Sequence, residues 1–243
     1  MLKPHIMDLH IHTCLSPCGA PEMVPTRIIS RAKELHLDAV GVCDHNAAKN
    51  VEPVQRIGHK EGIAVFAGME VTTREEIHVI ALFGDNRDLT DLQELVWQRL
   101  YGENNSEAFG PQYIVDKQDY VRGICRKLLI GAADLSVDET VSAIHRLKGL
   151  AIASHIDREV FSITSQLGFI PVGLRFDALE LSARGKMTLF EHRLPDCPIV
   201  SFSDAHHLND IGRAKTTFSV EAPTFDELKK ALNGLEGRKI IHY

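Results

Sequence analysis

Short, uniformly apolar runs recur along this chain, and most of them end in a residue able to bind a metal or carry a proton. Ala39-Val40-Gly41-Val42-Cys43 runs into Asp44-His45, and Ile63 to Ala67 into Gly68-Met69-Glu70. Leu150-Ala151-Ile152-Ala153 runs into Ser154-His155, and Pro198 to Phe202 into Ser203-Asp204-Ala205-His206. Runs this short and without polar alternation suit strands buried on both faces of a parallel sheet. Helical patterns separate the first of them: Pro25 can open a helix with Ile28, Ile29, Ala32 and Leu35 on one side, and Val51 to Lys60 forms another. Alternation of this kind predicts an α/β barrel, in which the C-terminal strand ends gather sequence-distant residues at one mouth.

The first strand contains Asp8-Leu9-His10-Ile11-His12-Thr13. Strand alternation projects His10 and His12 together and packs Leu9 and Ile11 on the other face. A further strand, Ile77 to Phe83, places His78 near its start on the face of Ile80 and Leu82, and Ala178 to Leu181 leads into Ser182. The rhythm breaks between about 88 and 149, which reads as an insertion into a single domain spanning 1–243. It holds a helix around Leu92 to Leu100, an irregular stretch from Gly102 to Asp119 that is a candidate lid, a helix around Tyr120 to Leu129, and a helix opened by a Ser136/Glu139 capping box. Strands are expected at Thr217 to Val220 and Lys239 to Ile241, around a helix that Thr224 and Glu227 cap in the same pattern.

A chain of 243 residues, 44% hydrophobic, can bury a large core. Its net charge of −6 and pI near 6.1 leave no basic footprint, which disfavours long nucleic acids and anionic membranes as partners. No apolar run is long enough to span a bilayer, and the five cysteines are odd in number and scattered. A cytoplasmic protein with reduced thiols is expected, with no obligate protein partner.

His10, His12, His45, Glu70, His78, His155, Asp204 and His206 are candidate ligands, enough for two or three divalent transition-metal ions with open positions. Imidazole and carboxylate together suit zinc, manganese or iron. Two ions about 3.5–4 Å apart can hold a bridging hydroxide and neutralise charge during displacement at phosphorus. Asp8 and Asp44 are read as partners that orient ligands, and Arg158, Arg184 and Arg213 as clamps for a substrate phosphate.

The segments around His10 and His12, Asp44-His45-Asn46, Gly68-Met69-Glu70, Ile77-His78-Val79, Ser154-His155 and Ser203-Asp204-Ala205-His206 resemble, in order, the motifs of the PHP (polymerase and histidinol phosphatase) family. That resemblance implies a distorted (β/α)7 TIM-like barrel with up to three metals at the C-terminal strand ends and phosphoesterase activity. It implies a first ion on His10, His12, Glu70 and Asp204, a second on Glu70, His78 and His155, and a third on His45 and His206. Catalysis would rest on His10, His12, Glu70, Asp204 and His206. Where family members carry His or Asp after the first motif, this chain reads Ser16-Pro17-Cys18-Gly19, so Cys18 is a further candidate ligand.

The expected activity is metal-dependent hydrolysis of a small phosphate monoester or a nucleotide-type substrate, a short oligonucleotide included. Histidinol phosphate is one specific substrate of this class. Two other readings are an amidohydrolase, which also begins with two histidines on the first strand of a barrel, and a noncatalytic metal-stabilised scaffold.

Overall fold

The computed structural model describes residues 1–183, 185 and 194–242. Its first half contains β1 (Lys3–Ile11), α1 (Pro25–Glu34), β2 (Ala39–Val42), α2 (Val51–Glu61), β3 (Ala64–Thr72), β4 (His78–Phe83) and α3 (Asn86–Arg99). There follow α4 (Ser106–Phe109), β5 (Tyr113–Val115), β6 (Val121–Ile124), α5 (Val137–Arg146), β7 (Leu150–Ala153), α6 (Ile163–Leu167) and β8 (Ala178–Leu181). β9 (Ile199–Ser201), β10 (Thr216–Val220), α7 (Phe225–Leu232) and β11 (Lys239–His242) complete the described elements.

One sheet takes the order β11-β10-β1-β2-β3-β4-β7-β8-β9. β1, β2 and β3 are parallel, as are β7, β8 and β9, whereas β4 runs antiparallel to both β3 and β7. β10 pairs antiparallel with β1 only along Lys3 to Met7. Beyond Met7 that edge receives the segment after β9. The Ser203 amide donates to Asp8 Oδ1 at 2.9 Å and the His12 amide to the Ala205 carbonyl at 2.9 Å. The sheet thus curls into a nearly closed α/β barrel. β4 is the departure from a regular parallel barrel: it turns back from β3 over Thr73 to Ile77, so its first residue, His78, lies at the mouth with the C-terminal ends of its neighbours.

Two apolar layers hold the barrel. The outer one joins Val40, Val42, Val79, Ala151 and Leu179 to Ile28 and Ile29 of α1, Val54 of α2, Leu92 of α3 and Val141 and Ile144 of α5. The inner one contains Met7, Leu9, Phe66, Ile80, Leu82, Ile152, Val200, Phe202 and Phe218, with Leu228, Ala231 and Leu232 of α7 packed against it. Apolar side chains therefore fill the barrel interior, as strand alternation requires.

Sequence expectations and structure differ at three places. Leu9 and Ile11 do not share a face: β1 advances from Asp8 to Ile11 while β2 advances only from Val40 to Val42, and this bulge turns Leu9 into the inner layer and leaves Ile11 in the outer one. Gly41 sits at the bulge, where a Cβ would lie 2.4 Å from the Leu9 carbonyl oxygen. Second, residues 120–129 are not helical. Asp116 Oδ1 accepts from the amides of Gln118 and Tyr120, and that side-chain turn folds β5 and β6 into a hairpin. Third, the capping box expected on α7 does not form: Thr224 makes no side-chain cap, and the Glu227 carboxylate takes the Glu221 amide and the Arg238 guanidinium instead of returning to the Thr224 amide. The Ser136/Glu139 box on α5 forms as expected.

Candidate metal centre

Five imidazoles surround one buried carboxylate. Glu70, near the end of β3, has Oε1 at 3.4 Å from His10 Nε2, 3.2 Å from His78 Nδ1 and 3.4 Å from His155 Nε2, and Oε2 at 3.4 Å from His12 Nε2 and 3.2 Å from His45 Nδ1. Despite this crowd neither oxygen has a hydrogen-bond partner, and the same is true of His45 Nδ1 and His78 Nδ1. Buried polar atoms left unpartnered are costly, so a cluster of them facing one space is suited to a cation.

The ligand atoms fall into three groups. One is His10, His12, Glu70 and Asp204; a second is His45, Glu70 and His78; a third is His12, His45 and His206. His10 Nε2 and His12 Nε2 lie 3.2 Å apart, and Asp204 Oδ1 lies 3.3 Å from the first and 3.0 Å from the second. Tetrahedral ligands at about 2.0–2.1 Å from an ion stand about 3.3–3.4 Å from one another, close to these separations. The donor set and its spacing fit a divalent metal.

Neighbouring groups set which nitrogen is bare. His10 Nδ1 lies 2.9 and 3.1 Å from the two oxygens of Glu180, which can only accept when ionised, so Nδ1 carries the proton and Nε2 faces Glu70. For His12 the same result comes through Ser16. Its hydroxyl donates to Asp44 Oδ1 at 2.7 Å and accepts from the His45 amide at 3.1 Å, which leaves it to accept from His12 Nδ1 at 2.9 Å. Asp44, also bonded by the Thr13 amide and hydroxyl at 2.7 Å each, therefore orients His12 through Ser16. Asp8 does something else: it touches no imidazole, and its oxygens take the Ser203 and Gly212 amides, which fixes the loop that carries Asp204.

Residues 8–163 match the PHP domain and residues 195–234 match the PHP-associated region. The chain belongs to the PHP family. No curated protein matches its sequence. Among solved structures, the lesion-specific endonuclease PfuEndoQ of Pyrococcus furiosus superposes with a TM-score of 0.71 at 22% identity, covering 98% of this chain and 58% of that one. An endonuclease Q complex with a 27-mer duplex bearing an abasic lesion at its active site gives 0.70 at 21% identity, covering 98% and 59%. A protein of Bifidobacterium adolescentis described as a metal-dependent phosphoesterase gives 0.58 at 16% identity, covering 83% and 87%. The PHP chain thus spans somewhat under three fifths of the endonucleases it resembles in fold.

In this PHP chain the charges around the centre are coupled. Burial alone would push the His10 imidazole down, but Glu180, Asp204 and Glu70 outweigh it and hold its pKa well above the ordinary value. His12 goes the other way, to about 4, through burial and the nearby His206. His45 is held well below its ordinary value by burial despite Glu70. Burial would raise Glu70 and Asp204, yet the imidazoles beside them, His78 and His10 for Glu70 and His10 and His12 for Asp204, hold both low. Neutral His12 and His45 and the ionised carboxylates already stand in the form a metal binds, while binding at His10 would displace its second proton.

A cavity of about 820 Å³ opens beside the centre, lined in part by Arg158, Ser203, Asp204, His206 and Arg213. Arg158 reaches Asp204 Oδ2 at 2.6 Å, and Arg213 pairs with Asp210 at 2.5 Å. Arg184 lies outside the described residues. His155 joins none of the three groups, although its Nε2 borders Glu70. Cys18 also falls outside them and is an exposed free thiol. His155 and Asp204 both have left-handed backbones, at φ 29° and 49°. Sparsely populated conformations of this kind concentrate at functional sites.

Two contributors escape a reading of motifs. Glu180 left one trace in the sequence, a lone carboxylate inside the apolar run Ala178–Leu181. Ser16 left none, since only the fold brings it between His12 and Asp44.

Proposed function

We propose that this PHP-family protein is a metal-dependent phosphoesterase, a hydrolase acting on a phosphate monoester or a nucleotide-type substrate. The observation that carries the reading is Glu70, buried among five imidazoles with neither oxygen hydrogen-bonded, beside a cavity walled by two arginines. In this reading His10, His12, Glu70 and Asp204 hold one ion, His45, Glu70 and His78 a second with His155 beside it, and His12, His45 and His206 a third. Zinc, manganese or iron ions held there would neutralise charge on phosphate oxygens and acidify a water. Arg158 exchanges its contact with Asp204 for a nonbridging phosphate oxygen, and Arg213 adds positive charge to the same cavity wall. Glu180 and Ser16 each hold a proton on Nδ1, of His10 and of His12 respectively, so Nε2 is the atom each imidazole would offer a metal. Residues 1–243 act as one barrel-type domain with the region around 88–149 inserted.

The likeness to endonuclease Q supports testing a nucleic-acid phosphodiester beside small monoesters. The deciding experiment is metal content by mass spectrometry on protein purified without chelators, run with hydrolysis of chromogenic phosphate mono- and diesters. Two or three equivalents of metal with chelator-sensitive cleavage are expected. No metal uptake from manganese, iron or zinc, and no cleavage, would overturn the reading in favour of a scaffold.

A further inference from the structure

Phe161 lies at the mouth of the centre in a conformation that bulky residues avoid. Its φ is 58°, where the Cβ of an aromatic residue crowds the backbone and glycine or asparagine would be at ease. The ring is stacked on His78, with centroids 4.7 Å apart and planes inclined by 10°, yet the residue remains 39% exposed. Val160 beside it is more exposed still.

The loop that holds Phe161 is fastened at several points. Its carbonyl accepts from the His78 amide at 2.9 Å, the Arg158 amide donates to the His155 carbonyl at 2.9 Å, and the Ser162 hydroxyl donates to the Arg158 carbonyl at 2.7 Å while also capping α6. Only two residues of this one braced turn, Glu159 and Val160, separate Arg158, which reaches Asp204, from Phe161, which covers His78. A phosphate drawn to Arg158 would thus lie beside the turn that also presents Phe161.

We propose that Phe161 is a specificity-determining residue whose exposed ring surface receives a planar aromatic group of the substrate, such as a nucleobase, while Arg158 takes the phosphate. The proposal deepens the phosphoesterase reading and rests on it for the position of the phosphate. Stacking of a base on an aromatic side chain changes affinity by about tenfold or more, and strain at a ligand-facing residue is a recurrent feature of binding sites.

The test compares AMP with ribose 5-phosphate, which share the phosphate and the sugar and differ by the base. Calorimetric binding to metal-loaded protein should favour AMP about tenfold. Phe161→Ala should remove the preference and Phe161→Trp should retain it, with metal content measured for each variant. Equal affinity of the wild-type protein for the two ligands would overturn the proposal. So would a Phe161→Ala variant that weakens both ligands alike, with lost metal, since Phe161 would then act only to hold His78. Hydrolysis assays on the same pair report separately: a base preference in binding with no cleavage of either compound or of the chromogenic esters would count against the phosphoesterase reading and leave the platform standing.

Discussion

At the scale of single residues, the centre depends on which atoms are left bare. Glu70→Ala removes the carboxylate that five imidazoles surround, and His10→Ala removes one end of the four-ligand group; each should abolish metal-dependent hydrolysis while circular dichroism shows the fold retained. Glu180→Gln keeps the shape beside His10 but removes the charge that holds its Nδ1 proton. Loss of such an orienting partner typically weakens metal binding about 10–100-fold, a change that competition with a chromogenic chelator would read. Cys18→Ser should leave the metal count unchanged, because Cys18 stands apart from all three groups. The candidate ligands are legible in the sequence as histidines and carboxylates, most of them placed after apolar runs. Glu180 and Ser16 were not, because a residue that acts through another carries no chemistry of its own in the sequence.

At the scale of elements, local signals succeed where the local hydrogen bond has no competitor. Ser136 caps α5 with both bonds of the box in place, whereas Thr224 has the same spacing to Glu227 and neither bond forms: its hydroxyl makes no cap, and the Glu227 carboxylate is held by Arg238 and the Glu221 amide. Ser136→Ala should therefore cost about 1 kcal/mol, and Thr224→Ala clearly less, as measured by urea unfolding of the two variants side by side. β1 shows the same lesson for strands. Alternation alone puts Leu9 opposite His10, but the bulge, permitted by the bare Cα of Gly41 under Leu9, turns both toward the interior. The helix expected around Tyr120 to Leu129 gives way to β6, paired with β5 from the irregular stretch before it, because the Asp116 turn that decides the hairpin is a bond between a side chain and amides further along.

At the scale of the whole molecule, the barrel brings strands from both ends of the chain against one cluster of candidate ligands, and without a cation both Glu70 oxygens and the Nδ1 atoms of His45 and His78 stay buried without partners. Metal removal should therefore lower the melting temperature, and re-addition should restore it; saturation at 100 times the dissociation constant corresponds to about 2.7 kcal/mol. Scanning calorimetry with and without chelator checks this, and identical melts would mean that no ion stabilises the fold. No helix among the described residues is long and apolar enough to cross a membrane. The sequence by itself determined the alternation of strand and helix and marked out most of the candidate ligands, because apolar runs and their polar ends are local patterns that water sorts. Only the tertiary structure decided that β4 reverses, that His12 stands between two groups of ligands, and that Ser16 and Glu180 hold the imidazole protons. Those outcomes depend on distances between residues up to 195 positions apart, such as the Asp8–Ser203 bond that closes the barrel, and no periodicity encodes such a distance.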